Sequence, residues 1–95
     1  MLKHSNLEFK WVERTLISSF DDFYYFYLVV KHGGFSAASE AENISKSKLS
    51  RRIIDLENKF NVSLIQRTTR HFKVTDLGQE FYEECCKVIA QVEIG

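Results

Sequence analysis

Arginine and lysine recur at short intervals through one stretch of this chain, and their spacing is the feature best suited to chemistry. Residues 44–75 hold Lys46, Lys48, Arg51, Arg52, Lys59, Arg67, Arg70 and Lys73 against only Asp55 and Glu57. Residues 76–95 reverse the balance, with Lys87 alone facing Asp76, Glu80, Glu83, Glu84 and Glu93. The whole chain of 95 residues has 13 basic and 13 acidic side chains. Its zero formal charge therefore hides a positive field confined to one third of the sequence, where an anion should dock. A basic run by itself is more often a solvated face, so its meaning depends on the elements that present it.

Other chemistries have less support. Cys85 and Cys86 are sequence neighbours, which rules out a loop-closing disulfide between them and lacks the ligand spacing of a zinc site. Both read as free thiols, Cys85 on an apolar helix stripe and Cys86 off it, with a core role favoured over redox sensing. His4, His32 and His71 lack partners at ligand or triad spacing. No nucleophile, acid/base pair or phosphate-cradling glycine loop accompanies them. No enzymatic activity, metal or cofactor is expected. No apolar run approaches the roughly 18 residues that span a bilayer. Met1–Asn6 is not followed by the apolar stretch of a secretory signal. A cytoplasmic chain with no membrane association is the expectation, and its length suits one small domain with no room for a small-molecule effector site.

The elements that must position the basic residues follow from periodicity. Asp21 or Asp22 is placed to cap a helix running to His32, where Gly33 and Gly34 supply a left-handed stop. Phe23, Phe26, Tyr27 and Val30 fall on one face of it at i, i+3, i+4 and i+7. Most of the Phe23–Tyr27 aromatic run is therefore core, with Tyr24 or Tyr25 left for a dimer face. Ser36 is an N-cap candidate for a short helix through Ala37, Ala38 and Ala41, ended by Asn43, which tolerates positive φ. Ser45 caps the next helix, whose Leu49, Ile53, Leu56 and Phe60 recur at spacings of four, three and four up to about Asn61. Leu64–Arg67 and Phe72–Thr75 are short β-prone runs joined by Thr68, Thr69, Arg70 and His71, a hairpin with a basic tip. A last helix from about Asp76 toward Ile94 presents Leu77, Phe81, Cys85, Val88 and Val92 as a narrow seam. That seam fits either a second copy or its own domain, and a terminal helix with so narrow a stripe more often finds a partner helix. Residues 1–20 read as an N-terminal extension with a blurred helical pattern.

A short helix, a tight turn and a longer helix with a basic outer face form a helix-turn-helix, whose second helix enters the major groove of DNA. At 100° per residue, and with Leu49, Ile53, Leu56 and Phe60 inward, Ser47, Arg51 and Asn58 point furthest outward, flanked by Lys48, Ile54 and Asp55. The N-terminal turns make groove contacts, which selects Ser47, Lys48 and Arg51 for base edges, Arg51 foremost for guanine. Lys46, Ser50 and Arg52 lie nearer the shoulders and suit phosphates. Arg67, Arg70 and Lys73 on the hairpin suit the backbone or a narrow minor groove.

Three linked stretches in order, Phe35 to Glu57, Leu64 to Arg70 and Val74 to Gly78, make the chain resemble the N-terminal DNA-binding domain of LysR-type transcriptional regulators over residues 21–94. The resemblance implies a mainly α fold, a winged helix-turn-helix of three core helices plus a β-hairpin wing over residues 21–75, followed by a linker or dimerisation helix over residues 76–95. It further implies that Ser45 to Ser50 face double-stranded DNA; Ser45, Lys46, Ser50, Arg52 and Lys73 are the expected backbone contacts. Arg67 and Arg70 would belong to the wing. The seam of Leu77, Phe81, Cys85, Val88 and Val92 would pair two copies as a homodimer. Glu42, Asn43 and Ser39 depart from the family's apolar residue, glycine and alanine, which predicts altered packing of the second helix. The rival expectation is a protein-interaction module that forms homo- or mixed dimers through the linker helix.

Overall fold

The computed structural model describes residues 20–67 and 70–94, with the side chains of 21–67 and 70–91. Residues 1–19, and with them the extension and its helical pattern, lie outside the described residues, as do Thr68 and Thr69 of the hairpin tip and the side chain of Val92. Four helices follow in order: α1 (Phe20–His32), α2 (Phe35–Glu42), α3 (Lys46–Phe60) and α4 (Asp76–Ile94). The central element is α1, which packs on each of the other three, while α2 also packs on α3.

The helix ends behave as their residue types require. Gly33 takes φ 83, and the amides of Gly33 and Gly34 donate to the carbonyls of Val30 and Val29 at 3.1 and 2.9 Å, closing α1 in a Schellman motif. Asn43 and Asn61 end α2 and α3 at φ 57 and φ 53. Ser45 caps α3, its Oγ accepting from the Lys48 amide at 3.1 Å. Two expected caps are corrected. Asp21 and Asp22 lie inside the first turn of α1, and Asp22 instead meets Arg52 on α3. Helix α2 starts at Phe35 rather than after Ser36, with Gly34 as a cap that makes no side-chain bond. Phe35 packs edge-on to Phe72, with centroids 6.0 Å apart, and this apolar contact draws the residue into the helix.

Phe26, Val29, Ala38, Leu49, Ile53, Leu56 and Leu64 are sealed from water. Burying each large side chain contributes roughly 1.5–3 kcal/mol, which fixes the rotation of α3 and sends its basic residues outward. Phe23 joins the layers, its ring 5.9 Å from Phe60 and 5.8 Å from Phe81. Glu42, where the resemblance expects an apolar side chain, meets His32 Nε2 at 2.9 Å. The polar pair ties the end of α2 to the end of α1, and His32 thus has a partner that its sequence neighbours did not reveal.

Two further expectations change. Among the described residues the wing strands reduce to one antiparallel bridge, Ile65 to Val74, flanked by Gln66 N–H to Lys73 O at 2.9 Å and Thr75 N–H to Leu64 O at 3.0 Å. Neighbouring groups engage the rest of this stretch. The amides of Leu64 and Ile65 donate to the Glu57 carboxylate at 2.7 and 3.2 Å. Thr75 is taken up as a cap of α4, its Oγ1 accepting from Gly78 N–H at 2.9 Å. Much of the stripe expected as a dimer seam on α4 is engaged within this chain. Leu77 and Phe81 pack on this chain's own core, and Cys85 and Ile89 are buried in it, with Cys85 Sγ 3.9 Å from the Phe23 carbonyl oxygen. The buried stripe is rotated toward Ile89 because α4 must lie against Phe23 of α1. Burial first, and then the nearby charges of Cys86 and Glu84, push the Cys85 thiol up to about 12, so it stays protonated and inert near neutral pH. Tyr24, 38% exposed, stacks on Tyr27, which stacks on Tyr82 of α4 with centroids 5.7 Å apart. The tyrosine run thus connects α1 to α4. No helix among the described residues is long and apolar enough to cross a membrane.

Candidate nucleic-acid interface

The outer face of α3 forms one wall of an open groove of about 1010 Å³, bounded on one side by the start of α2 and on the other by residues 65–67 and 70–72. Lys46, Ser47, Ser50 and Arg51 line it from α3, and Arg67 and Arg70 from the opposite wall. Among the described residues no carboxylate lines it. Four cationic side chains therefore share a concave surface, with Arg67 paired from behind to Glu57 at 2.8 Å. Such a surface concentrates positive potential and attracts a polyanion.

Local structure explains how these side chains come to meet. The Ser45 cap starts α3 abruptly, so Lys46 and Ser47 stand in its first turn at the groove's edge. Arg51 lies one turn further along the same exposed face. The opposite wall is held by Glu57, whose carboxylate takes the Leu64 and Ile65 amides through Oε2 and Arg67 Nη2 through Oε1 at 2.8 Å. Arg67 remains 42% exposed, and one such contact leaves other donors on its five-donor guanidinium.

Ser45 is the cap of α3, and the other residues expected to contact DNA fall into three places. Lys46, Ser47, Ser50, Arg51, Arg67 and Arg70 come together in the groove. Lys48 and Arg52 stand outside it, over the Tyr25 ring of α1, with Lys48 Nζ and Arg52 Cζ 5.6 and 5.7 Å from the centroid. Lys73 is exposed beyond the bridge and does not line the groove. Tyr25, which with Tyr24 was one of two candidates for a dimer face, borders the basic helix. Glu57 looked like an isolated acid in a basic stretch, and nothing in its periodicity marks it as the organiser of the far wall. Among the described residues no cluster of His, Cys, Asp or Glu could hold a metal ion.

Comparison with known proteins agrees with this geometry. The chain is 38% identical over 66 residues to the HTH-type transcriptional regulator BudR of Klebsiella aerogenes, covering 70% of this chain and 46% of BudR. It is 36% identical over 72 residues to the regulator DmlR of Escherichia coli K12, covering 76% of this chain and 24% of DmlR. The chain thus spans less than half the length of these curated relatives. Among solved structures, BenM_DBD in its complex with catB site 1 DNA superposes with a TM-score of 0.72 at 32% identity, covering 77% of this chain and 78% of that one. The full-length Vibrio cholerae virulence activator AphB gives 0.71 at 31% identity, covering 78% of this chain and 26% of AphB. The family model described as "Bacterial regulatory helix-turn-helix protein, lysR family" matches residues 20–79, and the chain belongs to that family.

Proposed function

We propose that this chain binds double-stranded DNA in a sequence-specific manner, as the DNA-addressing portion of a LysR-type transcription regulator, with no enzymatic activity. The observation that carries the proposal is the groove on α3, where Lys46, Arg51, Arg67 and Arg70 converge with no carboxylate among the described lining residues. The likeness to BenM_DBD, which stands in a complex with DNA, supports it. In this arrangement α3 enters the major groove with Ser47 and Arg51 toward base edges. Lys46 and Ser50 sit beside phosphates. The segment bearing Arg67 and Arg70 acts as a wing along the flanking backbone or minor groove, with Lys73 behind it. Residues 21–75 form the docking unit, and residues 76–95 form a linker helix that pairs with a second copy. Phe81, Cys85 and Ile89 are taken up by the core, so that pairing uses the flank of α4 near Val88.

Roughly six phosphate contacts give a slope of log affinity against log salt of about −5. A gel-shift series on a random duplex pool at several salt concentrations measures it. Binding indifferent to salt, or none at all, overturns the proposal. Arg51→Ala is expected to remove about 2 kcal/mol of preference for an enriched duplex over a shuffled one, the size of one bidentate guanine contact. Competition binding reads this loss, and an unchanged preference would take Arg51 out of the base-reading role.

A further inference from the structure

Lys48 and Arg52 lie one turn apart on the edge of α3 that faces α1, and both approach the same Tyr25 ring at 5.6 and 5.7 Å. Arg52 has a second tether, Nη1 to Asp22 Oδ1 at 3.3 Å. Asp22 and Tyr25 are three residues apart on α1 and so share a face. A cation over an aromatic face is held by the ring's quadrupole, an attraction that occupies none of its N–H donors. Lys48 is exposed and Arg52 is 42% exposed, so both present donors to the solvent side while their charged heads are restrained. Ordering long side chains before docking lowers the entropy lost on binding.

We propose that Tyr25 is a positioning residue that holds Lys48 and Arg52 as a clamp for neighbouring backbone phosphates of the duplex. Lys48 then supplies affinity rather than base discrimination. The clamp rests on the DNA-binding function proposed above. It differs from the assignment that helical spacing alone suggests, in which Lys48 reads bases beside Ser47 and Arg51. Those two residues line the groove and Lys48 does not, because the ring draws its ammonium to the α1 side. Phosphates are identical at every step of a duplex, so contacts to them carry no direct sequence information.

The test is fluorescence anisotropy at 50 and 200 mM NaCl on two probes, a duplex enriched by the wild-type chain from a random pool and a shuffled duplex of the same length and composition. Lys48→Ala is expected to weaken both duplexes by the same factor. The gap between wild type and variant should narrow about 3.5-fold between the two salts, as the loss of one phosphate contact requires. Tyr25→Leu is expected to weaken both by about 2- to 5-fold, the equivalent of a surface cation–π contact. Tyr25→Phe keeps the ring and should retain wild-type affinity. A loss confined to the enriched duplex in Lys48→Ala, with its salt dependence unchanged, overturns the clamp while leaving DNA binding intact. Equal losses in Tyr25→Phe and Tyr25→Leu overturn the role of the ring. Lys48 is exposed and its removal spares the core, so the test remains decisive if Tyr25→Leu fails to fold. A wild-type chain that binds no duplex at either salt overturns both the function and the clamp.

Discussion

Glu57→Ala is expected to lower the free energy of unfolding by about 3 kcal/mol, because two backbone donors beside the core lose their acceptor at once. The carboxylate is 12% exposed and accepts from the amides of Leu64 and Ile65 at 2.7 and 3.2 Å. Leu64 is 0% and Ile65 3% exposed, so water has poor access to replace it. The ion pair with Arg67 is a smaller part of the effect, since Arg67 is 42% exposed and a pair screened by solvent on one side is worth roughly 1 kcal/mol. Glu57→Gln separates the two contributions. Its amide oxygen still accepts from the backbone, so it should recover most of the stability while losing only the pairing with Arg67. Urea unfolding measures the difference as a shift in midpoint at constant slope. If the alanine and glutamine variants lose equal stability, the backbone bonds are not what Glu57 contributes. The same substitution should also loosen the far wall of the groove, because the carboxylate that holds Leu64 and Ile65 also holds Arg67.

Gly78→Ala is expected to destabilise the fold by about 2 kcal/mol, against the sign that helix propensity gives. Within a helix, alanine is better than glycine by roughly 1 kcal/mol, and Gly78 lies inside α4. A methyl group there would run into the Leu64 carbonyl oxygen and come 2.5 Å from Val74 Cγ1. The valine methyl can turn aside. The carbonyl is backbone, already bonded to the Thr75 amide at 3.0 Å, and can retreat only by breaking that bond and shifting the bridge. Overpacking of this kind costs about 1–3 kcal/mol and occasionally more, and a rigid obstacle puts this site at the upper end, which outweighs the propensity gain. Thermal unfolding should show a Tm lower by roughly 4–8 °C per kcal/mol for a domain of this size. A neutral or stabilised variant would mean that α4 is free to move away from the bridge.

Both effects arise where segments far apart in sequence meet, and this is where sequence reading reached its limit. The ends of α2 and α3 were legible because Asn43 and Asn61 are residue types that tolerate left-handed backbone. The cap at Ser45 was legible because a serine oxygen reaches an amide three residues on. The inward face of α3 was legible from spacing, since Leu49, Ile53 and Leu56 are all sealed. On α4 two apolar stripes overlap, one through Val88 and one through Ile89, and periodicity cannot choose between them. Contact with Phe23 on α1 makes the choice. At the end of the second hairpin segment Thr75 serves two elements, its amide donating to the Leu64 carbonyl and its Oγ1 accepting from Gly78 N–H as the cap of α4, a double role that residue type alone does not reveal.

The positive stretch that first suggested an anion partner illustrates the same division. Composition and order alone determined that residues 44–75 are basic, that they fall on a helix-turn-helix and the segment after it, and that Arg51 faces outward. These properties depend on residue type and on helical geometry, which are local. Only the tertiary structure decided how the cations are shared. It gathered Lys46, Arg51, Arg67 and Arg70 around one groove and drew Lys48 and Arg52 to Tyr25. It also turned Glu57 from a stray charge into the support of the far wall. Such pairings span up to 30 residues of sequence and depend on which helices pack together, a property that no short window of sequence contains.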